Sequence, residues 1–215
     1  MMIEDFGTRV ASVWEGLRPV TRSLVERALL AAQTPAAASA TTKASAAGAA
    51  YDARSEWELS RLLAALDERA TEKGAVVLSA EQSCELVRIT ETCAAVLHQE
   101  ARTAEVFAQL LERAFRSRDY ARVDTLADAL SARLAPSETC ELARSENPMV
   151  RAIAHEALLQ TPITVLIALL GDPVDAEIAR SALEYQAAEY GSEDARMIVS
   201  ALDLADAEND SDEDL

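Results

Sequence analysis

The sequence predicts an all-α protein, and three observations support that prediction. Alanine is abundant, with 44 among 215 residues. Glycine and proline number only six each, and aromatic residues make up 4%. Sheets, barrels and glycine-rich nucleotide folds need turn residues or β-branched runs that this composition lacks. Apolar residues also recur at helical spacing. We expect short helical hairpins stacked on one another, preceded by an N-terminal amphipathic helical segment.

The N-terminal segment, residues 1–33, carries one apolar stripe. Arg18-Pro19 interrupts it, and proline fits the first turn of a helix but not its interior. The segment is therefore two helices or one kinked helix. An isolated stripe is exposed, so we expect it to dock on the rest of the chain or on a second copy. The stripe has steps of three and four residues: Ile3, Phe6, Val10, Val13, Leu17, Val20 and Leu24.

The rest of the chain falls into three segments that differ in composition. Residues 34–50 are rich in alanine, serine and threonine without apolar periodicity, which predicts a flexible linker. Residues 51–205 are predicted to form a helical array. The last segment, 206–215, is acidic and is predicted to be a disordered tail.

Two capping boxes are expected within the array, at Ser55–Glu58 and at Ser79–Gln82. Behind the second, apolar residues recur at helical spacing as far as residue 115. This stretch is one long helix or two helices broken near residues 99–103. Its length favours the break.

The C-terminal half contains an internal repeat. Asn147-Pro148 and Asp172-Pro173 each read as an N-cap followed by proline at the first helical position. A weaker copy starts at Asp119-Tyr120, and a final helix follows Gly191-Ser192. Residues match at a constant offset of 25: Ile153 and Ile178, Ala154 and Ala179, Ala157 and Ala182, Leu158 and Leu183, and upstream Thr139 and Thr164, Ala143 and Ala168.

These hairpins resemble the HEAT-type helical repeats over residues 119–202. The Asp-Pro opening, the small and apolar inner helix and the short turns are the features shared. The 25-residue unit is shorter than the ~40–47 residues typical of such repeats. The resemblance implies a stacked α-solenoid whose face binds another macromolecule. It transfers no catalytic residue to this chain.

Charge and cysteine content narrow the function classes. The net charge of −17 disfavours nucleic acid and anionic membrane as partners. The longest apolar run, Ile163–Leu170, is far below the ~20 residues that span a bilayer. Three scattered cysteines make no disulfide framework, and the acidic residues near the start do not fit a secretory leader. We expect a cytoplasmic protein.

No residue pattern points to catalysis, a metal or a cofactor. His98 and His155 are each expected on a solvated helix face, and neither has a second histidine at zinc-binding spacing. Cys140 aligns with Val165 in the repeat, so it is expected to be a small core residue. Cys84 and Cys93, nine positions apart, face opposite sides of one helix.

One local basic patch stands out, and its candidate partner-binding residues are Arg116, Arg118, Tyr120 and Arg122. Arg113 and Phe115 lie among them. Such a patch could dock an acidic partner segment or a phosphate. The alternative is a solvated helix end, where cations meet the negative end of the helix dipole.

The sequence favours a non-enzymatic protein-interaction module, an adapter or scaffold that binds another protein. Two alternatives stay open. One is an assembly protein that oligomerises through residues 1–33. The other is an enzyme with a carboxylate-only site in the helical array, which would place a buried acid pair in a deep pocket.

Overall fold

The computed structural model describes residues 3–33, 51–72 and 78–213, so the predicted linker at 34–50 lies outside the described residues. The described chain is helical without strands, which confirms the all-α class. A short 3-10 turn at Ile3–Phe6 precedes eleven α-helices: α1 Thr8–Gly16, α2 Pro19–Ala32, α3 Ala53–Thr71, α4 Ala80–Glu100, α5 Ala104–Arg116, α6 Tyr120–Arg133, α7 Pro136–Ala143, α8 Pro148–Leu159, α9 Ile163–Leu169, α10 Ala176–Ala188 and α11 Glu193–Glu213.

The chain divides into two compact units, Met1–Arg102 and Thr103–Leu215. Helices α3 and α4, which the sequence assigns to the array, pack with the N-terminal helices in unit 1. The break expected near residues 99–103 is present, since α4 ends at Glu100 and α5 begins at Ala104. The capping box at Ser79 and Gln82 is also confirmed, with both reciprocal hydrogen bonds formed.

The N-terminal segment forms two helices, and Pro19 opens the second of them. Most of its stripe is buried within unit 1, because α1 packs on α3 while α2 packs on α3 and α4, and Val13 is half-buried. Val20 differs from the expectation and is exposed, whereas Thr21 beside it is buried. The helix turns a polar residue inward at this point because α3 presents a polar partner there.

The capping box predicted at Ser55–Glu58 is wrong, because these two residues form the polar partner of Thr21 instead. The N-cap of α3 is Asp52, whose carboxylate accepts from the Ser55 amide at 2.7 Å. Ser55 and Glu58 lie one turn further on and are buried, with Glu58 3% exposed. The two side chains therefore serve contacts with α2 rather than the start of their own helix.

We call these contacts the Arg18 clamp: Arg18, Thr21, Asp52, Ser55 and Glu58. The Arg18 guanidinium donates to Asp52 Oδ1 at 2.6 Å and to Ser55 Oγ at 2.9 Å. The Thr21 hydroxyl donates to Glu58 Oε2 at 2.5 Å. Burial alone would raise the pKa of Glu58, but the hydrogen bond from Thr21 and the charge of Arg18 outweigh it and lower that pKa. The buried carboxylate is thus held ionised.

Unit 2 is a stack of helical hairpins. The hairpins α5–α6, α7–α8 and α9–α10 place α5, α7 and α9 in one layer and α6, α8 and α10 in the other. The final helix, α11, packs on α10. Polar side chains also tie neighbouring hairpins together. The Gln186 amide donates to the carbonyls of Leu159 and Thr161, both at 2.9 Å, and Arg144 donates to Asp175 at 2.7 Å.

The repeat places equivalent residues of α8 and α10 in the core. Leu158 and Leu183 are both fully buried, as are Ala154 and Ala179. Asn147 caps α8 as predicted.

The Asp172-Pro173 pair differs from the prediction. The Asp172 carboxylate accepts from the Val174 amide at 2.9 Å, so Asp172-Pro173 forms a turn and α10 begins only at Ala176. Asp175 occupies the N-cap position, although its buried side chain binds Arg144 instead of capping the helix.

The C-terminal boundary also differs, because α11 continues to Glu213 across most of the predicted disordered tail. The helix continues because each residue added to an existing helix gains a hydrogen bond without a new nucleation cost. Among the described residues no single helix has the length and apolar composition of a membrane span. The bent pair α8 and α9 meets that test only when its two helices are joined.

Replacing Leu158 with alanine should destabilise unit 2 by about 2–5 kcal/mol, because it removes buried methyl groups and leaves a cavity between stacked hairpins. Denaturant unfolding followed by far-UV circular dichroism measures this loss. Leu204→Ala, at a position 68% exposed on α11, is the control and should change stability by less than about 0.5 kcal/mol. Equal effects of the two variants would contradict the packing described for α8.

The Arg18 clamp should make unit 1 sensitive to acid. The Glu58 pKa is lowered from its ordinary value of 4.5. The stabilisation of the folded state by the ionised carboxylate is therefore present above pH 4.5 and is lost as the pH falls through the lowered pKa. Glu58→Gln should therefore be less stable than wild type at neutral pH, and the difference should shrink below pH 4.5. Both tryptophans, Trp14 and Trp57, lie in unit 1, so their fluorescence reports its unfolding.

The matched control for Glu58→Gln is Glu26→Gln, at an exposed position in the middle of α2. Its stability difference from wild type should stay nearly constant over the same pH range. A pH-independent difference for Glu58→Gln would show that the carboxylate charge contributes nothing to the clamp.

Candidate functional site

The predicted basic patch lies at the turn between α5 and α6, and its backbone is unusual. The helix α5 ends in a Schellman motif, in which the Arg118 amide donates to the Phe115 carbonyl at 3.0 Å and the Asp119 amide to the Ala114 carbonyl at 2.9 Å. This motif requires positive φ at Arg118, where φ is 59°. Glycine is the usual residue there because a Cβ costs free energy in this conformation.

Two aromatic rings flank the turn and are exposed. Phe115 lies in the last turn of α5 and Tyr120 begins α6, with 48% and 59% of their surfaces accessible. Their ring centroids are 6.2 Å apart with an interplanar angle of 80°, an edge-to-face arrangement. The pair holds a small apolar surface in fixed geometry beside the arginines.

The arginines at this turn differ in how they are engaged. Arg122 forms an ion pair with Asp119 at 3.5 Å, and its amide donates the N-cap hydrogen bond to the same carboxylate at 3.1 Å. Arg116 and Arg118 are exposed, and within the described part of the chain neither guanidinium has a hydrogen-bond or ion-pair partner. We call Phe115, Arg116, Arg118 and Tyr120 the basic turn. It combines two available cations with two exposed rings.

The structure therefore brings Arg116, Arg118 and Tyr120 to one turn, while Arg122 is tied to the start of α6. Sequence reasoning missed the backbone conformation of Arg118. The signal for it is the short gap between α5 and α6, which allows one Schellman turn and places Arg118 where glycine normally stands. It placed Phe115 within the patch but did not name it as a candidate binding residue, although Phe115 and Tyr120 form the aromatic pair.

The other candidate groups occupy structural positions. Cys140 is fully buried in α7, and this burial, followed by the charge of Asp175, raises its pKa to about 11. Cys93 is buried and Cys84 is exposed, in agreement with their expected opposite faces. His98 and His155 are half-buried, unlike the solvated positions that we predicted.

The buried carboxylates of the described residues are engaged in structural contacts. Glu58 belongs to the Arg18 clamp, Glu56 accepts from the Arg102 amide at 3.0 Å, and Asp175 binds Arg144. A groove of about 500 Å³ beside α1 and α3 and one of about 220 Å³ between α6 and α8 are lined by none of these three. Within the described ranges no group of three or more histidine, cysteine, aspartate or glutamate side chains is placed to hold a metal.

Arg118→Gly should stabilise the protein by about 0.5–1 kcal/mol, because glycine relieves the cost of positive φ while adding some unfolded-chain entropy. Arg118→Ala keeps the Cβ and should leave stability nearly unchanged. Denaturant unfolding of the two variants side by side measures the difference. A loss of stability in Arg118→Gly would mean that the arginine side chain itself supports the fold.

Comparison with known proteins gives no relative: no protein-family model, curated protein or solved structure matches this chain.

Proposed function

We propose that this chain is a non-enzymatic protein-interaction module, in which unit 2 is a HEAT-like helical array that binds an acidic partner segment at the basic turn. The observation that carries the proposal is Arg118, which occupies a position of positive φ at a cost in stability. A residue held in an unfavourable conformation on the surface is best explained by a contact that it makes there.

The chemistry of the basic turn fits a short acidic segment with apolar side chains. Guanidinium groups bind carboxylates in bidentate fashion, and such hydrogen bonds are shorter and stronger than neutral ones. Arginine and tyrosine are also enriched among the residues that dominate binding energy at protein interfaces. Phe115 and Tyr120 would cover apolar groups of the partner while Arg116 and Arg118 pair with its acids.

The charge of the whole chain argues for a short segment rather than a polyanion. With a net charge of −17, the surface repels an extended phosphate backbone away from this turn. A partner with a few carboxylates would meet only the local cations. The three cysteines are free, which fits the reducing cytoplasm as the compartment.

A fluorescein-labelled peptide that alternates aspartate and glutamate with leucine and phenylalanine is the probe for this proposal. Fluorescence anisotropy should show binding to the wild type that weakens with added salt. The double variant Arg116→Ala/Arg118→Ala should weaken it by about tenfold or more. The same peptide with asparagine and glutamine in place of its acids should lose this binding.

The matched control is Arg151→Ala/Arg196→Ala, which removes the same charge from exposed positions elsewhere in unit 2. Its affinity should stay within about twofold of the wild type. Equal weakening in both double variants would show general electrostatic attraction and would refute a site at the basic turn.

A further inference from the structure

The most apolar helix of the described chain is poorly covered. Helix α9 reads Ile-Thr-Val-Leu-Ile-Ala-Leu, yet only Leu166 is fully buried. Ile167 is 43% exposed, Ala168 is exposed, and Val174 in the following turn is 64% exposed. A helix this apolar is expected to bury most of its circumference.

Comparison of α9 with its repeat equivalent α7 shows that α9 lacks a neighbouring helix on one side. Four residues of α7 are buried, and the residues at the equivalent positions of α9 are exposed or half-buried. Helix α7 lies in its layer between α5 and α9, whereas α9 packs on α7 and α10 and ends the layer. The next helix, α11, covers α10 instead. The four pairs, each 25 residues apart, are Thr139 and Thr164, Cys140 and Val165, Leu142 and Ile167, and Ala143 and Ala168.

The end of a stacked helical array normally has a polar outer face, because the last unit has no neighbour to cover it. Helix α9 does not follow this rule, since Thr164 is its single polar residue. The outer face of α9 therefore has the composition of an internal position in the stack. Another helix is needed to complete it.

The charge distribution favours a second copy of this chain as the occupant. Residues 157–171, which include all of α9, contain no charged side chain, in a chain with a net charge of −17. Most other surfaces of this protein would repel a second copy, whereas this one would not. A partner of opposite charge would gain no ion pair from α9 either.

We propose that the exposed face of α9 binds the same face of a second copy of this chain, which joins two arrays end to end. Such an interface is isologous, so a twofold axis passes close to Ile167 and brings it near its counterpart. Two turns of helix present a small area, so the dimer should be weak, with a dissociation constant of about 1–100 µM. The proposal does not depend on the basic turn.

Sedimentation velocity of the full chain over about 1–200 µM tests the proposal. The wild type should shift from monomer to dimer, and Ile167→Asp should remain monomeric because it places like charges at the axis. Met197→Asp, at an apolar position on α11 that is 64% exposed, is the matched control and should dimerise like the wild type. Since Ile167 is exposed, its variant should keep the wild-type circular dichroism spectrum.

Mixing Ile167→Asp with Ile167→Lys distinguishes a second copy from any other occupant. The two variants should form a heterodimer together, because opposite charges then face each other across the axis. A dimer that persists in Ile167→Asp, or a mixture that stays monomeric, would overturn the proposal. A wild type that stays monomeric would also overturn it. If that monomer sediments with neutral phosphatidylcholine vesicles and Ile167→Asp does not, the exposed face of α9 would be assigned to a lipid surface.

Discussion

Lateral burial of short helices on one another is the constraint on which unit 2 depends. Its hairpin helices range from the seven residues of α9 to the fourteen of α6. Helices of this length are marginal in water alone, so each is stabilised chiefly by its neighbours. Small residues such as Ala154 and Ala179 let adjacent helices approach closely in the core. Polar ties such as that of Gln186 to the end of α8 then fix the stagger of successive hairpins.

The sequence predicted those features that depend on residues close together in the chain. Pro19 and Asn147 open helices as expected, and the box at Ser79 forms with both its hydrogen bonds, because each involves one helix turn. Ser55 and Glu58 have the same local pattern but serve another purpose. Their partners, Arg18 and Thr21, lie 34 to 40 positions away, and no local pattern carries that information.

The candidate site shows the same limit. Charge and aromatic content grouped Arg116, Arg118 and Tyr120 correctly at one turn, because they are neighbours in sequence. The positive φ of Arg118 follows from how α5 and α6 meet. Burial in α9 shows the same limit of sequence-based prediction. The repeat predicts equivalent roles for Ala143 and Ala168, but the exposure of each depends on whether another helix follows in its layer.

The Arg18 clamp has a consequence for the segment 34–50. Near one end of that segment, Arg88 of α4 donates to the Leu29 carbonyl at 3.4 Å, and at the other Arg18 holds Asp52. Contacts outside the segment therefore set the positions at which the chain leaves α2 and enters α3. Sequence changes within 34–50 leave both of these contacts intact, so the ends of α2 and α3 are held independently of that segment.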